Sequence, residues 1–152
     1  MGNRILMIGI GNHGRSDDAL GWKFVEKFSK HEDLFDIEYR YQLQIEDALL
    51  ITEYKVVIFV DAAHTTYDGG YSLYKCIPAR TDQFTSHALN PETILWLAND
   101  LFSQSPEAYV MAISGINWEL HQGITDTAQK NFEQAVSFFK NWLTKKDLPH
   151  QN

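Results

Sequence analysis

Apolar positions along this chain follow two rhythms. Residues 4–10 (RILMIGI), 55–61 (KVVIFVD) and 108–113 (AYVMAI) are short, nearly unbroken apolar runs, the signature of strands buried on both faces. Residues 37–41 (IEYRY) alternate and predict a second strand, and 71–76, just before Ile77-Pro78, predict an edge strand. Between them, four stretches repeat with helical spacing. Residues 17–30 place Leu20, Phe24, Val25 and Phe28 on one stripe, and 46–54 read as a short helix. A third helix, 91–102, opens at Asn90-Pro91. The fourth, 125–143, carries Ala128, Phe132, Ala135, Val136, Phe139 and Leu143 on one face. Asp68-Gly69-Gly70 predicts a turn.

Strands that alternate with helices predict an α/β fold: a three-layer sandwich, a mostly parallel twisted sheet of about five strands with helices on both faces. The expected organisation is one domain over residues 1–144 and a polar, loose tail over 145–152. If the first strand is central, strands two and three flank it, and ligands bind where their connections diverge, at the C-terminal strand ends. Chemistry is therefore expected just after Ile10 and just after Val60. Asp17, Asp18 and Asp61 stand at those places.

Composition narrows the classes. A chain of 152 residues with 44% apolar residues can build its own core. Thirteen Lys and Arg against 20 Asp and Glu give a net charge of −7, which repels phosphate backbones and anionic lipids, so no nucleic acid and no membrane is expected as partner. No run approaches the roughly 20 apolar residues of a membrane span. Neither a secretory pattern nor a myristoylation pattern stands at the start, and the lone Cys76 fits a reducing compartment, so a cytoplasmic location is expected.

The stretch LMIGIGNHGRSDDALG contains G-x-G-x-x-G at Gly9, Gly11 and Gly14, between a strand and a helix, which is the context of a dinucleotide loop. Two features oppose that reading. Asp17 and Asp18 occupy the helix start where a pyrophosphate would sit, and the second strand ends in Tyr41-Gln42 instead of the acid that binds a ribose. Ser16 or Asp17 alone would serve as a helix cap. Two acids converging with Asp61 on one crevice favour a shared proton or a cation. Spacing leaves a third ligand open among His13, His64, His87 and His121, while His31 and His150 sit in polar stretches. Ser114 lacks the G-x-S-x-G context and reads as structural, and Cys76 has no evident activating base. Most of the four tryptophans are expected in the core.

Four segments, GIGNHGRSDDALG, YQLQIEDA, VVIFVDAAH and SHALNPETILWLANDL, together resemble the nickel-iron hydrogenase maturation proteases, in family order and from about Ile5 to the last helix. The chain departs from the family at His13-Gly14-Arg15-Ser16, where a Gly often precedes the acids, and in SGINWELHQGITDTA, which lacks the usual Leu-Ser. The resemblance implies an endopeptidase that removes the C-terminal extension of a nickel-loaded hydrogenase large-subunit precursor. It implies Asp18, Asp61 and His87 as metal-binding and catalytic residues. Apart from the resemblance, Asp17 is expected to support or cap Asp18, and Arg15 to meet the substrate's C-terminal region. The nickel is implied to arrive with the substrate, and other divalent metals would substitute. Outside the resemblance stand two other readings, a dinucleotide-binding α/β protein and a metal-sensing or scaffold protein without peptidase activity.

Overall fold

A computed structural model describes residues 4–31, 33–80 and 89–146. Five strands, β1 (Ile5–Ile10), β2 (Phe35–Arg40), β3 (Val56–Ala63), β4 (Tyr71–Lys75) and β5 (Glu107–Ser114), form one sheet in the order β2-β1-β3-β5-β4. Every pairing is parallel except β4 with β5. The antiparallel β4 closes one edge, as the sequence predicts for 71–76, and β1 lies between β2 and β3.

Four helices cover the sheet. The apolar stripes of α1 (Leu20–Phe28) and α4 (Asp126–Lys145) pack on one face against Ile5, Met7, Ile58, Val60 and Met111. The other face, built from Leu6, Ile8, Val57, Phe59 and Val110, carries α2 (Glu46–Ile51) and α3 (Pro91–Phe102). The two faces are the two parities of each strand, since successive side chains point to opposite sides. All six β1 residues are buried, which is why that run has no polar position.

The helix starts follow local chemistry. Asn90 caps α3 by accepting from the Thr93 N–H at 2.8 Å, with Pro91 in the first turn, and the Thr125 hydroxyl accepts from Ala128 N–H at the start of α4. The first helix departs from its predicted span. Residues 16–19 form a 3-10 turn, and α1 begins only at Leu20. No side chain caps either segment, so neither Ser16 nor Asp17 is a cap there. Ser16 instead adopts a left-handed conformation at φ 50°, and its buried hydroxyl has no hydrogen-bond partner among the described residues. Among the described residues no helix is long and apolar enough to cross a membrane. Most of the predicted tail, residues 147–152, lies outside the described residues.

Gly21 explains how α1 sits so close to the sheet. A Cβ there would stand 2.5 Å from the Val60 carbonyl oxygen and 2.6 Å from that of Ile10, backbone atoms with no freedom to yield. Gly9 faces it from β1, its own hypothetical Cβ 2.7 Å from the Gly21 carbonyl oxygen. Gly21→Ala is expected to destabilise the fold by about 3 kcal/mol, the upper range for overpacking. Urea unfolding checks this, and a loss below about 1 kcal/mol would show that α1 tolerates a larger spacing.

Candidate active site

The strand register sets the site. Asp61 lies beside Ile10, the last residue of β1, so an acid within β3 meets the end of its neighbour. By strand parity its side chain shares a face with Val57 and Phe59, the face covered by α2 and α3. Asp18 comes from the 3-10 turn after β1. The chain gets there through Gly11, whose φ of 140° favours glycine and whose Cβ would collide with the Asp18 carbonyl oxygen. The Asp18 carboxylate folds back over the strand end and accepts from the Asn12 N–H at 2.8 Å.

Burial of Asp61 and repulsion from Asp18 push its carboxyl up to about 7, opposed by the Ala62 N–H. Burial also raises Asp18, against the Asn12 N–H and the nearby charges of Arg15 and His64. Both shifts point the same way, and each acid resists ionisation while the other is charged.

Asp17 behaves in the opposite manner. Its carboxylate is fully buried and accepts four hydrogen bonds: Ile116 N–H at 2.8 Å, Asn117 N–H at 3.0 Å, Thr125 N–H at 2.8 Å and the Thr125 hydroxyl at 2.9 Å. Burial alone would raise its pKa, but these donors hold it below the usual carboxylate range. Asp17 therefore ties the 3-10 turn to segment 115–125, about a hundred residues away, and is neither a cap of its own helix nor a partner that bonds Asp18.

The histidines separate by place. His13 is exposed and stacks on Trp22 at 4.9 Å, within an aromatic group that includes Tyr41. His121 is held through its backbone, its N–H on Gly14 and its carbonyl accepting from Ser16 N–H. His64 stacks on Trp118 with ring centres 3.8 Å apart, and its charge acts on Asp18. His87 and His150 lie outside the described residues. Two of the three residues that the resemblance implies, Asp18 and Asp61, are thus brought together. Among the described residues no group of three or more His, Cys, Asp or Glu is arranged to hold a metal ion.

Other candidates resolve into structural roles. The Ser114 hydroxyl donates to the Thr65 carbonyl at 2.8 Å and accepts from Tyr67 N–H at 2.9 Å, pinning the chain after β3. Cys76 is buried, and burial with neighbouring Glu92 pushes its thiol up to about 12, far from a reactive thiolate. The expectation that most tryptophans are core is corrected. None of the four is buried: Trp22, Trp96, Trp118 and Trp142 are all half-buried, because phenylalanines such as Phe24, Phe28, Phe59 and Phe139 already fill the interior. The signal missed in the sequence was the role of Asp17. No local spacing announces a bond to residues so distant.

No family model matches the chain, and no curated protein does. Solved structures do resemble it. An endopeptidase from Escherichia coli in solution superposes with a TM-score of 0.75 at 21% identity, over 95% of this chain and 94% of that one. The hydrogenase maturating endopeptidase HybD from E. coli gives 0.68 at 19% identity, over 95% and 94% of the two chains. The [NiFe] hydrogenase maturation protease HycI from Thermococcus kodakarensis gives 0.68 at 18%, over 99% and 94%. The chain has the fold of these endopeptidases over nearly its whole length.

Proposed function

We propose that this protein is an endopeptidase that removes the C-terminal extension of a nickel-loaded [NiFe] hydrogenase large-subunit precursor. The observation that carries the reading is the meeting of Asp18 and Asp61 at the ends of β1 and β3, both with raised pKa values. The fold shared with hydrogenase maturation proteases supports it. Such a pair has two stable states: it shares a proton or it faces a cation. In this reading the cation is nickel carried by the substrate, and Asp18, Asp61 and His87 would meet it. A metal at such a site polarises the scissile carbonyl or lowers the pKa of an attacking water. The carboxylates supply selection: without metal the pair falls back on a shared proton and offers the precursor no cation contact, whereas the loaded precursor brings the charge that both acids can face.

A large protein substrate also needs a docking surface. Exposed apolar side chains lie on the segments that follow the strand ends, with Tyr41 62%, Ile116 58% and Leu120 73% exposed. The dinucleotide reading loses its support, because Gly9 serves the close packing of α1 and Gly11 the approach of Asp18. Gly14 closes a small turn on the Asn12 side chain, to whose oxygen its N–H donates at 2.8 Å.

Asp61 also makes stability depend on pH. An unfolded Asp ionises near 3.8, but the folded one near 7, so between these values the folded state holds a proton that the unfolded chain has lost. That contribution is fully present below the unfolded value and is lost as pH rises through about 7. Asp61→Asn is therefore expected to melt a few degrees above the parent at pH 8, by less at pH 5, and level with it only below the unfolded value near 3.8. Nickel or zinc should raise the parent's melting temperature at pH 8 more than the variant's, and NAD should raise neither. A shift with NAD and none with metal would return the dinucleotide reading.

The activity itself is tested by incubating the protein with nickel-loaded precursor and measuring the mass of the precursor's C-terminal end. Loss of the extension is expected with the parent. Asp18→Ala, Asp61→Ala and His87→Ala should each abolish it while circular dichroism stays native. A parent that binds nickel-loaded precursor but never shortens it would be a metal sensor or scaffold.

A further inference from the structure

We propose that Asp17 is a positioning residue: by gripping segment 115–125 it seats Trp118 against His64 and fixes that imidazole beside the acid pair. The inference rests on the peptidase reading above and adds His64 as a residue that binds the arriving peptide.

The connection is continuous. The Asp17 carboxylate holds the N–H groups of Ile116 and Asn117, and the Asp17 N–H donates in return to the Asn117 carbonyl at 3.0 Å. Gly115 is pressed between the two partners. A Cβ there would stand 2.8 Å from the Asp17 Cβ and 3.1 Å from the edge of the Trp118 ring. Segment 115–125 thus lies flat on the 3-10 turn, with Trp118 folded over Gly115. That indole stacks on His64, ring centres 3.8 Å apart with 27° between the planes. His64 follows the last residue of β3 and is anchored from below, since the Ala63 carbonyl accepts from Gly115 N–H at 2.9 Å.

Stacking uses the face of an imidazole and leaves its two nitrogens at the edge. His64 therefore keeps a hydrogen-bonding rim at the site mouth while its orientation is set by Trp118. An exposed histidine without that wall would sample several rotamers and lose entropy on each binding event. Asp17 supplies the rigidity at a distance. Its four bonds are buried, so they do not compete with water, and two of them fix the backbone just before Trp118.

The test combines a spectroscopic signal with a double-mutant cycle. In protein labelled with fluorotryptophan, the Trp118 fluorine resonance is identified by its disappearance in Trp118→Phe. Asp17→Asn and His64→Ala should both move or broaden that resonance. In precursor processing each should lower kcat/KM on the order of tenfold, and the double variant should be no worse than the worse single one, because both break one connection. Losses that multiply, or a Trp118 resonance unmoved by Asp17→Asn, would overturn the proposal. If Asp17→Asn does not fold, Thr125→Val, which removes the hydroxyl bond to the carboxylate, should shift the resonance in part, and Thr125→Ser should restore it. An unmoved resonance in Thr125→Val would again overturn it. Failure of the parent to process precursor would sink the peptidase reading alone, since the fluorine signal needs no substrate.

Discussion

The contact between the Gly21 backbone and the carbonyls of Ile10 and Val60 governs the rest of the structure. It lays α1 across β1 and β3 at the level where both strands approach their ends. The chain enters that helix through residues 16–19, which follow the end of β1. They form a 3-10 turn, with Ser16 in a left-handed conformation. The tighter turn aims two successive acids in different directions, one into segment 115–125 and one toward Asp61. Had the helix been held farther off by a side chain at either Gly9 or Gly21, the turn would not reach the end of β1. The glycine pattern that resembles a phosphate loop thus reflects a steric demand of packing.

Asp17 and Asp18 show how little a residue type says without its surroundings. They are adjacent and of the same chemistry, the first fully buried and the second half-buried. Asp17 accepts from three backbone N–H groups and a hydroxyl, and is held as a carboxylate. Asp18 accepts from one N–H and faces another acid, and its ionised form is disfavoured. The first is satisfied by the protein alone. The second has coordination to spare and a neighbour that shares its excess charge. An acid fully satisfied by hydrogen bonds and one whose charge is disfavoured are separated by a single peptide bond, and the satisfied one holds in place the turn that carries the other.

The alternation of apolar runs and helical stripes made the strand order around β1 legible, because a parallel sheet buried on both faces leaves few arrangements. Asp61 was legible for the same reason, as the one acid closing the strongest strand run. The edge place of β4 was readable through the proline that follows it, but its antiparallel direction was not. What stayed hidden was long-range and directional. Neither the bond from Asp17 to Thr125 nor the stack of His64 on Trp118 leaves a periodic trace, since each depends on where two loops meet in space. The tryptophans misled for a different reason. Hydrophobicity ranks them with core residues, but their size and indole N–H suit them to places with one wet side. Trp22 shows this: its indole N–H donates to the Arg40 carbonyl at 3.0 Å while its ring carries His13 and Tyr41 at the surface. A core already packed with phenylalanine needed no tryptophan, and two of the four, Trp22 and Trp118, instead stack on His13 and His64 in the segments that follow β1 and β3, at the end of the sheet where the acid pair lies.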